Sequence, residues 1–157
     1  MNCANLSTQT RCNDGEPRQS WLERSTGICK NHGEYRFGKM PIITLYRPVG
    51  QAELDLIAAS GYKLFPPRLP EQPIFYPVLT REYAEQIARD WNTQDERSGY
   101  VGYVIEFNVD AEYLARFEIK KVGGKEHLEY WIPSDELEEF NRHIHGAIRV
   151  INKFCGK

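Results

Sequence analysis

Two charged residues stand inside stretches that otherwise read as buried strands, and their chemistries are complementary. Arg47 ends the run PIITLYR and precedes Pro48, and Glu129 sits in HLEYWIP between Leu128 and Tyr130. A guanidinium or a carboxylate in such a setting is costly unless it is paired or engaged. Two readings stay open. In one, Arg47 and Glu129 pair with each other or sit on a solvated face. In the other they line a cleft. Arg47 then holds an anion, because its planar fork matches phosphate bidentately. Glu129 binds a sugar hydroxyl or stabilises a developing positive charge. Tyr76, Tyr130 and Trp131 offer flat faces for a stacked ring. On strand alternation His127, Glu129 and Trp131 share one face, and Leu128, Tyr130 and Ile132 the other.

Other reactive side chains carry blander expectations. Cys155 is the only cysteine after Met40. As a nucleophile it would need a distant histidine; as a small apolar residue in a terminal strand it needs nothing. His143 and His145 lie two apart near an expected helix end, so they should point in different directions and compensate the helix dipole rather than share a metal. Cys12, Cys29 and His32 have no finger-like spacing and no fourth ligand, so no metal is expected there. No P-loop, HExxH or GxSxG motif occurs.

The elements that must position these residues begin at Met40. Residues 1–39 hold three of the four cysteines, few aliphatic residues and no sustained period. They carry six basic and four acidic groups, against fourteen and eighteen in the remaining 118 residues. The expectation is a disordered or non-native extension, with Met40 as an alternative translation start and 40–157 as the folded domain. Over the whole chain the net charge is −2 and the pI about 6.1, which leaves no basic excess for bulk phosphate binding. No apolar run is long enough to span a membrane and no apolar leader opens the chain, so cytoplasmic residence is the expectation.

From Met40 the pattern predicts a strand at IITLYR, a helix at QAELDLIAAS and a short strand at YKLF. A stiff, proline-rich loop, FPPRLPEQP, follows and is placed as one wall of a cleft. A strand at IFYPVL comes next, weakened by Pro77. Thr80 then caps the helix REYAEQIARDWN, with Tyr83, Ala84, Ile87, Ala88 and Trp91 as its apolar stripe. In the long strand YVGYVIEFNV, Val101, Tyr103, Ile105, Phe107 and Val109 share a face. A helical turn, DAEYLARF, leads to a hairpin of EIKKV and HLEYWI around Gly123 and Gly124. The pattern closes with a helix capped by Ser134 and stopped by Gly146, then the strand AIRVINKF. Three short helices interleaved with six or seven strands make an α+β domain on a mixed or antiparallel sheet, not a doubly wound nucleotide fold.

From ITLYRPVG to INKFC the chain resembles a family of small bacterial proteins labelled "ADP-ribosylation/crystallin J1". The resemblance is carried by LYRPVGQAELDLI, FPPRLPEQPIFYPVL, IARDWNT, EYWIPSDELEEFNRHI and IRVI. The element order also resembles the ADP-ribosyltransferase fold of bacterial toxins. Arg47 in LYRPV stands where that fold has an Arg or His in the first strand. FYPVLTREYAEQIA takes the place of its second motif, with Tyr76 or Thr80 as candidates and without a Ser-Thr-Ser signature. Glu129 matches the late-strand glutamate, and His127 stands where Gln or Glu is usual. The resemblance implies NAD as substrate, with no metal, and transfer of ADP-ribose to a macromolecular acceptor, protein rather than nucleic acid. Catalytic roles then fall to Glu129, Arg47 and His127, the last positioning the acceptor. NAD contacts fall to Arg47, Tyr76, Thr80, Tyr130 and Trp131. The alternatives are an inactive binding module, in which Arg47 and Glu129 are a structural pair, and an ADP-ribosyl hydrolase.

Overall fold

A computed structural model describes residues 40–157, which form one compact α+β unit with antiparallel sheets. Its spine is β3 (Val101–Asp110), flanked by β1 (Ile42–Val49) and β7 (Ile144–Cys155) in the order β1-β3-β7. β1 pairs with β3 without interruption from Ile42↔Asp110 to Val49↔Tyr103. The expected apolar face of β3 is borne out. Val101, Tyr103, Ile105, Phe107 and Val109 are all buried and join Leu45, Val49, Phe75, Ile132 and Phe140 in the larger core. The opposite face carries a smaller core, in which Val104 and Val78 pack on Tyr83, Ala84 and Ala88.

Helices cover both faces. α1 (Gln51–Ala59) buries Leu54 and Ile57 in the larger core. α2 (Arg81–Asp90) lays Tyr83, Ala84 and Ala88 on the smaller one. Trp91, expected on that stripe, instead ends the helix 70% exposed. Gly102 lets α2 lie directly on β3, since a β-carbon there would overlap the Ala88 carbonyl. α3 (Ala111–Leu114) is the expected single turn, and α4 (Leu137–Arg142) follows a 3₁₀ turn at Ser134–Glu136.

The remaining strands are short. β2 (Ile74–Phe75) pairs with β6 (Ile132–Pro133). β4 (Ile119–Lys121) pairs with β5 (Leu128–Tyr130) as the expected hairpin, with Lys120 opposite Glu129. Between β1 and β5 lies only one residue in bridge geometry, Val78. It exchanges two backbone hydrogen bonds with Tyr46 (2.8 and 2.9 Å) and also bridges to Glu129. IFYPVL is therefore not a continuous strand, because Pro77 has no N–H to give and pairing resumes only after it.

Three further expectations are corrected. YKLF is not a strand. The Ser60 hydroxyl accepts from the N–H groups of Lys63 and Leu64, and Tyr62 sits at φ 60°, so the chain turns there. The Asn141 side chain then holds Phe65 by both backbone groups, at 2.8 and 3.1 Å. The last helix ends at Arg142, and Gly146 does not stop it. Gly146 lies within β7 at φ +77°, where residues 146–148 oppose Phe107 alone in a bulge. A second bulge leaves Ile151 unmatched. Thr80 starts α2 in extended geometry, but its hydroxyl donates to the Glu126 carbonyl (3.1 Å) rather than capping the helix.

Candidate functional site

The Val78 bridge is where the sheet parts, and a cleft of about 580 Å³ opens beside it. Arg47 and Pro48 come from the end of β1. Arg68, Glu71, Gln72 and Pro73 come from the proline-rich loop, which forms the expected wall. Tyr76 and Val78 form the floor, Tyr83, Ile87 and Trp91 come from α2 and its end, and Glu129 comes from β5. The volume lies within the range of small-molecule and cofactor sites.

Arg47 and Glu129 therefore line one cleft, from strands that are not neighbours. The Val78 segment separates them. The bridges put Tyr46, Val78 and Glu129 on the α2 side of the sheet, whereas Arg47, next to Tyr46, is rooted on the side of Leu45 and Val49. A ligand that touches both must reach across the parted sheet.

Nor do the two residues pair with each other. Arg47 is 7% exposed and binds Glu53 of α1 through both carboxylate oxygens, Nε–Oε1 at 2.9 Å and Nη2–Oε2 at 3.2 Å. Its Nη1 donates to the Tyr76 carbonyl at 3.3 Å, and its guanidinium lies 4.6 Å from the centre of the Phe75 ring. A cation in this place is thus matched on three sides. Arg68 stands close by. Its Nη1 is 3.8 Å from Glu53 Oε1 and its Nη2 donates to Gln72 Oε1 at 2.7 Å. Its Nε is buried without a hydrogen-bond partner among the described residues. Burial, and then the Arg47 charge, lower the Arg68 pKa from its ordinary value, and Glu53 opposes them.

Glu129 is held by two donors, one on each oxygen. The Tyr83 hydroxyl donates to Oε1 at 2.8 Å and Trp131 Nε1 to Oε2 at 3.1 Å. Burial, the bond to Glu129 and that carboxylate's charge push the Tyr83 pKa up to about 12. Tyr83 therefore stays a neutral donor at physiological pH. Trp131 also meets Tyr76 edge to face, with ring centres 5.6 Å apart.

Of the residues singled out in the sequence, Arg47, Tyr76 and Glu129 meet in the cleft, with Trp131 touching two of its members. Tyr130 does not join them. Its neighbour parity turns it into the larger core, where it is 4% exposed. Thr80 does not line the cleft and spends its hydroxyl on Glu126. His127 stacks on the Tyr83 ring, 4.1 Å between centres and 12° between planes, and lines a separate pocket of about 140 Å³ with Gln86 and Val122. That pocket adjoins the cleft, sharing Tyr83, Ile87 and Trp91 with it, and His127 itself does not line the cleft.

Glu53, Arg68 and Tyr83 escaped the sequence reading. The available signals were an acid in the first turn of the helix after Arg47, a lone cation among prolines, and a polar tip on a helix stripe.

The other reactive candidates lie elsewhere. Cys155 ends the terminal strand β7, as expected, and is exposed there. His143 and His145 are not on one helix. They converge on Asp110, at 2.7 and 2.5 Å, and these contacts lower its pKa. Among the described residues no three His, Cys, Asp or Glu side chains are placed to hold a metal, and no described helix is long and apolar enough to cross a membrane. The expected features of 1–39, Cys12, Cys29 and His32 included, lie outside the described residues.

The cleft thus combines two guanidinia, three aromatic side chains and a carboxylate fixed by neutral donors. Such a set can bind an anionic ligand carrying a flat ring and a sugar, and can oppose positive charge at the sugar. No protein-family model matches the chain, and no curated protein matches it.

Proposed function

We propose that the cleft binds NAD and that the protein transfers ADP-ribose to a macromolecular acceptor, protein rather than nucleic acid, on a domain of the ADP-ribosyltransferase type. The observation that carries this reading is a single cleft with Arg47 and Arg68 at one end and a donor-held Glu129 at the other. NAD laid across the parted sheet puts its phosphates at the guanidinium end, its nicotinamide against Tyr76 and its ribose at Glu129. The bond between the ribose and the nicotinamide nitrogen breaks, and nicotinamide leaves as a neutral base with the bonding electrons. Glu129 stabilises the oxocarbenium-like charge left behind. An acceptor nucleophile then bonds to the same carbon and loses its proton. Tyr83 and Trp131 hold the carboxylate, and His127 acts through Tyr83.

The test is incubation of the full chain with NAD labelled in the adenosine part, with and without a cell lysate. The expected result is release of nicotinamide and covalent labelling of protein, both lost in Glu129→Gln while NAD binding persists. A wild type that neither binds NAD nor releases nicotinamide overturns the reading. A second reading, a catalytically inactive binding module, is favoured by one observation: Arg47 is already engaged by Glu53, the Tyr76 carbonyl and Phe75. NAD binding without nicotinamide release selects it.

A further inference from the structure

We infer that the cationic end of the cleft is a diphosphate site whose available ligand is Arg68, with Arg47 as its fixed wall. This rests on the proposed reading for the identity of the ligand, and it reverses the roles that the first-strand arginine and the proline-rich loop have in the sequence pattern.

The argument is one of unspent donors. A guanidinium has five N–H groups. Arg47 commits Nε, Nη1 and Nη2 to Glu53 and the Tyr76 carbonyl, and its face lies against Phe75. Moving it onto a ligand would break a bidentate ion pair. Arg68 makes one hydrogen bond, to the exposed side chain of Gln72. Its approach to Glu53 is long at 3.8 Å, and Glu53 already gives both oxygens to Arg47. A side chain only 11% exposed therefore keeps most of its donors unused and one of them, Nε–H, orphaned. An unsatisfied buried donor carries a desolvation cost that a phosphate oxygen would remove.

Charge points the same way. Two guanidinia share the single carboxylate of Glu53, so neither has a carboxylate to itself. Glu71, on the same loop, also lines the cleft but is exposed to solvent and pairs with neither arginine, and Glu129 is held by Tyr83 and Trp131. A phosphate ester supplies the missing anion. Two linked phosphoryl groups bring more charge and more acceptor oxygens to the spare donors of Arg68 than one does, while Arg47 stays on Glu53. Arg68 gives up Gln72 in the exchange, and its loop carries no regular secondary structure to oppose the shift.

The experiment is calorimetric titration of the full chain with ADP, AMP and adenosine. ADP should bind at least about tenfold more tightly than AMP, the worth of one charge-assisted contact. Arg68→Gln should erase that difference, and Arg68→Lys should recover part of it. Gln72→Ala, which frees Arg68 without touching its charge, should tighten ADP binding several-fold. ADP no tighter than AMP, or equal ADP affinity in wild type and Arg68→Gln, overturns the inference. Should Arg68→Gln fail to fold, Gln72→Ala decides alone, and unchanged or weaker ADP binding there overturns it. Nicotinamide release is read separately: ADP binding without release leaves the diphosphate site standing and removes the transferase.

Discussion

At Arg47 a buried cation is matched by a carboxylate, a carbonyl and an aromatic face, so it stabilises the joint between β1 and α1 whatever the ligand. Arg47→Lys keeps the charge and loses the fork. The expected cost is about 1–3 kcal/mol, seen as a lower denaturant midpoint at unchanged slope. Tyr83→Phe asks a different question. It removes one donor from Glu129 and leaves the ring packed on His127, so melting should barely move while nicotinamide release falls by about tenfold or more. Because Tyr83 titrates only near 12, release should show no alkaline limb from this group between pH 8 and 10. Arg47 and Glu129 were legible because each is a charge in an apolar strand. Arg68, Glu53 and Tyr83 were not, because their importance arises only when the loop and two helices meet. Nothing in FPPRLPEQP says that its arginine reaches the carboxylate of a helix fifteen residues upstream.

Elements set where those residues arrive. Gly102 is the contact point of α2 and β3, and Gly102→Ala must lift the helix that carries Tyr83. A loss of about 1–3 kcal/mol is expected, the cost of overpacking. Turnover should drop alongside it, measured by denaturation and by nicotinamide release on the same sample. Asp110, at the end of β3, ties that strand to the start of β7 through His143 and His145. Its folded pKa lies below the ordinary carboxylate value. Its contribution is therefore fully present above the unfolded pKa, near 4, and is lost as pH falls through the folded value. Asp110→Asn should be less stable than wild type at pH 6 and should show a shallower loss between pH 4.5 and 3 in an acid titration followed by circular dichroism. The hairpin of β4 and β5 and the buried face of β3 were readable because period and turn glycines agree. YKLF and Gly146 were not. An apolar run beside a serine gives no warning that its hydroxyl will turn the chain, and a glycine at positive φ serves a helix stop and a strand bulge equally.

At the scale of the molecule, residues 40–157 form one compact unit with two cores on either side of β3. A chain beginning at Met40 should therefore melt within about 2 °C of the full chain by calorimetry, a difference of roughly half a kcal/mol. A larger drop would assign 1–39 a part in the fold. The α+β class and the order of the main elements were legible from alternation and turn residues. The parting of the sheet was not, because it depends on a single bridging residue, Val78, whose partners lie 32 residues before it and 51 after it.

The bulges of β7 bear on how copies of this chain meet one another. β7 is the outer strand of its sheet, twelve residues long, and a flat strand of that length would offer a continuous row of free backbone donors and acceptors. Two bulges interrupt the row, and Arg149 and Lys153 add charge along it. These are the devices by which an open edge avoids templating another strand. The irregularity at Gly146 thus breaks the row of edge groups near one end of β7, far in sequence from the residues that line the cleft.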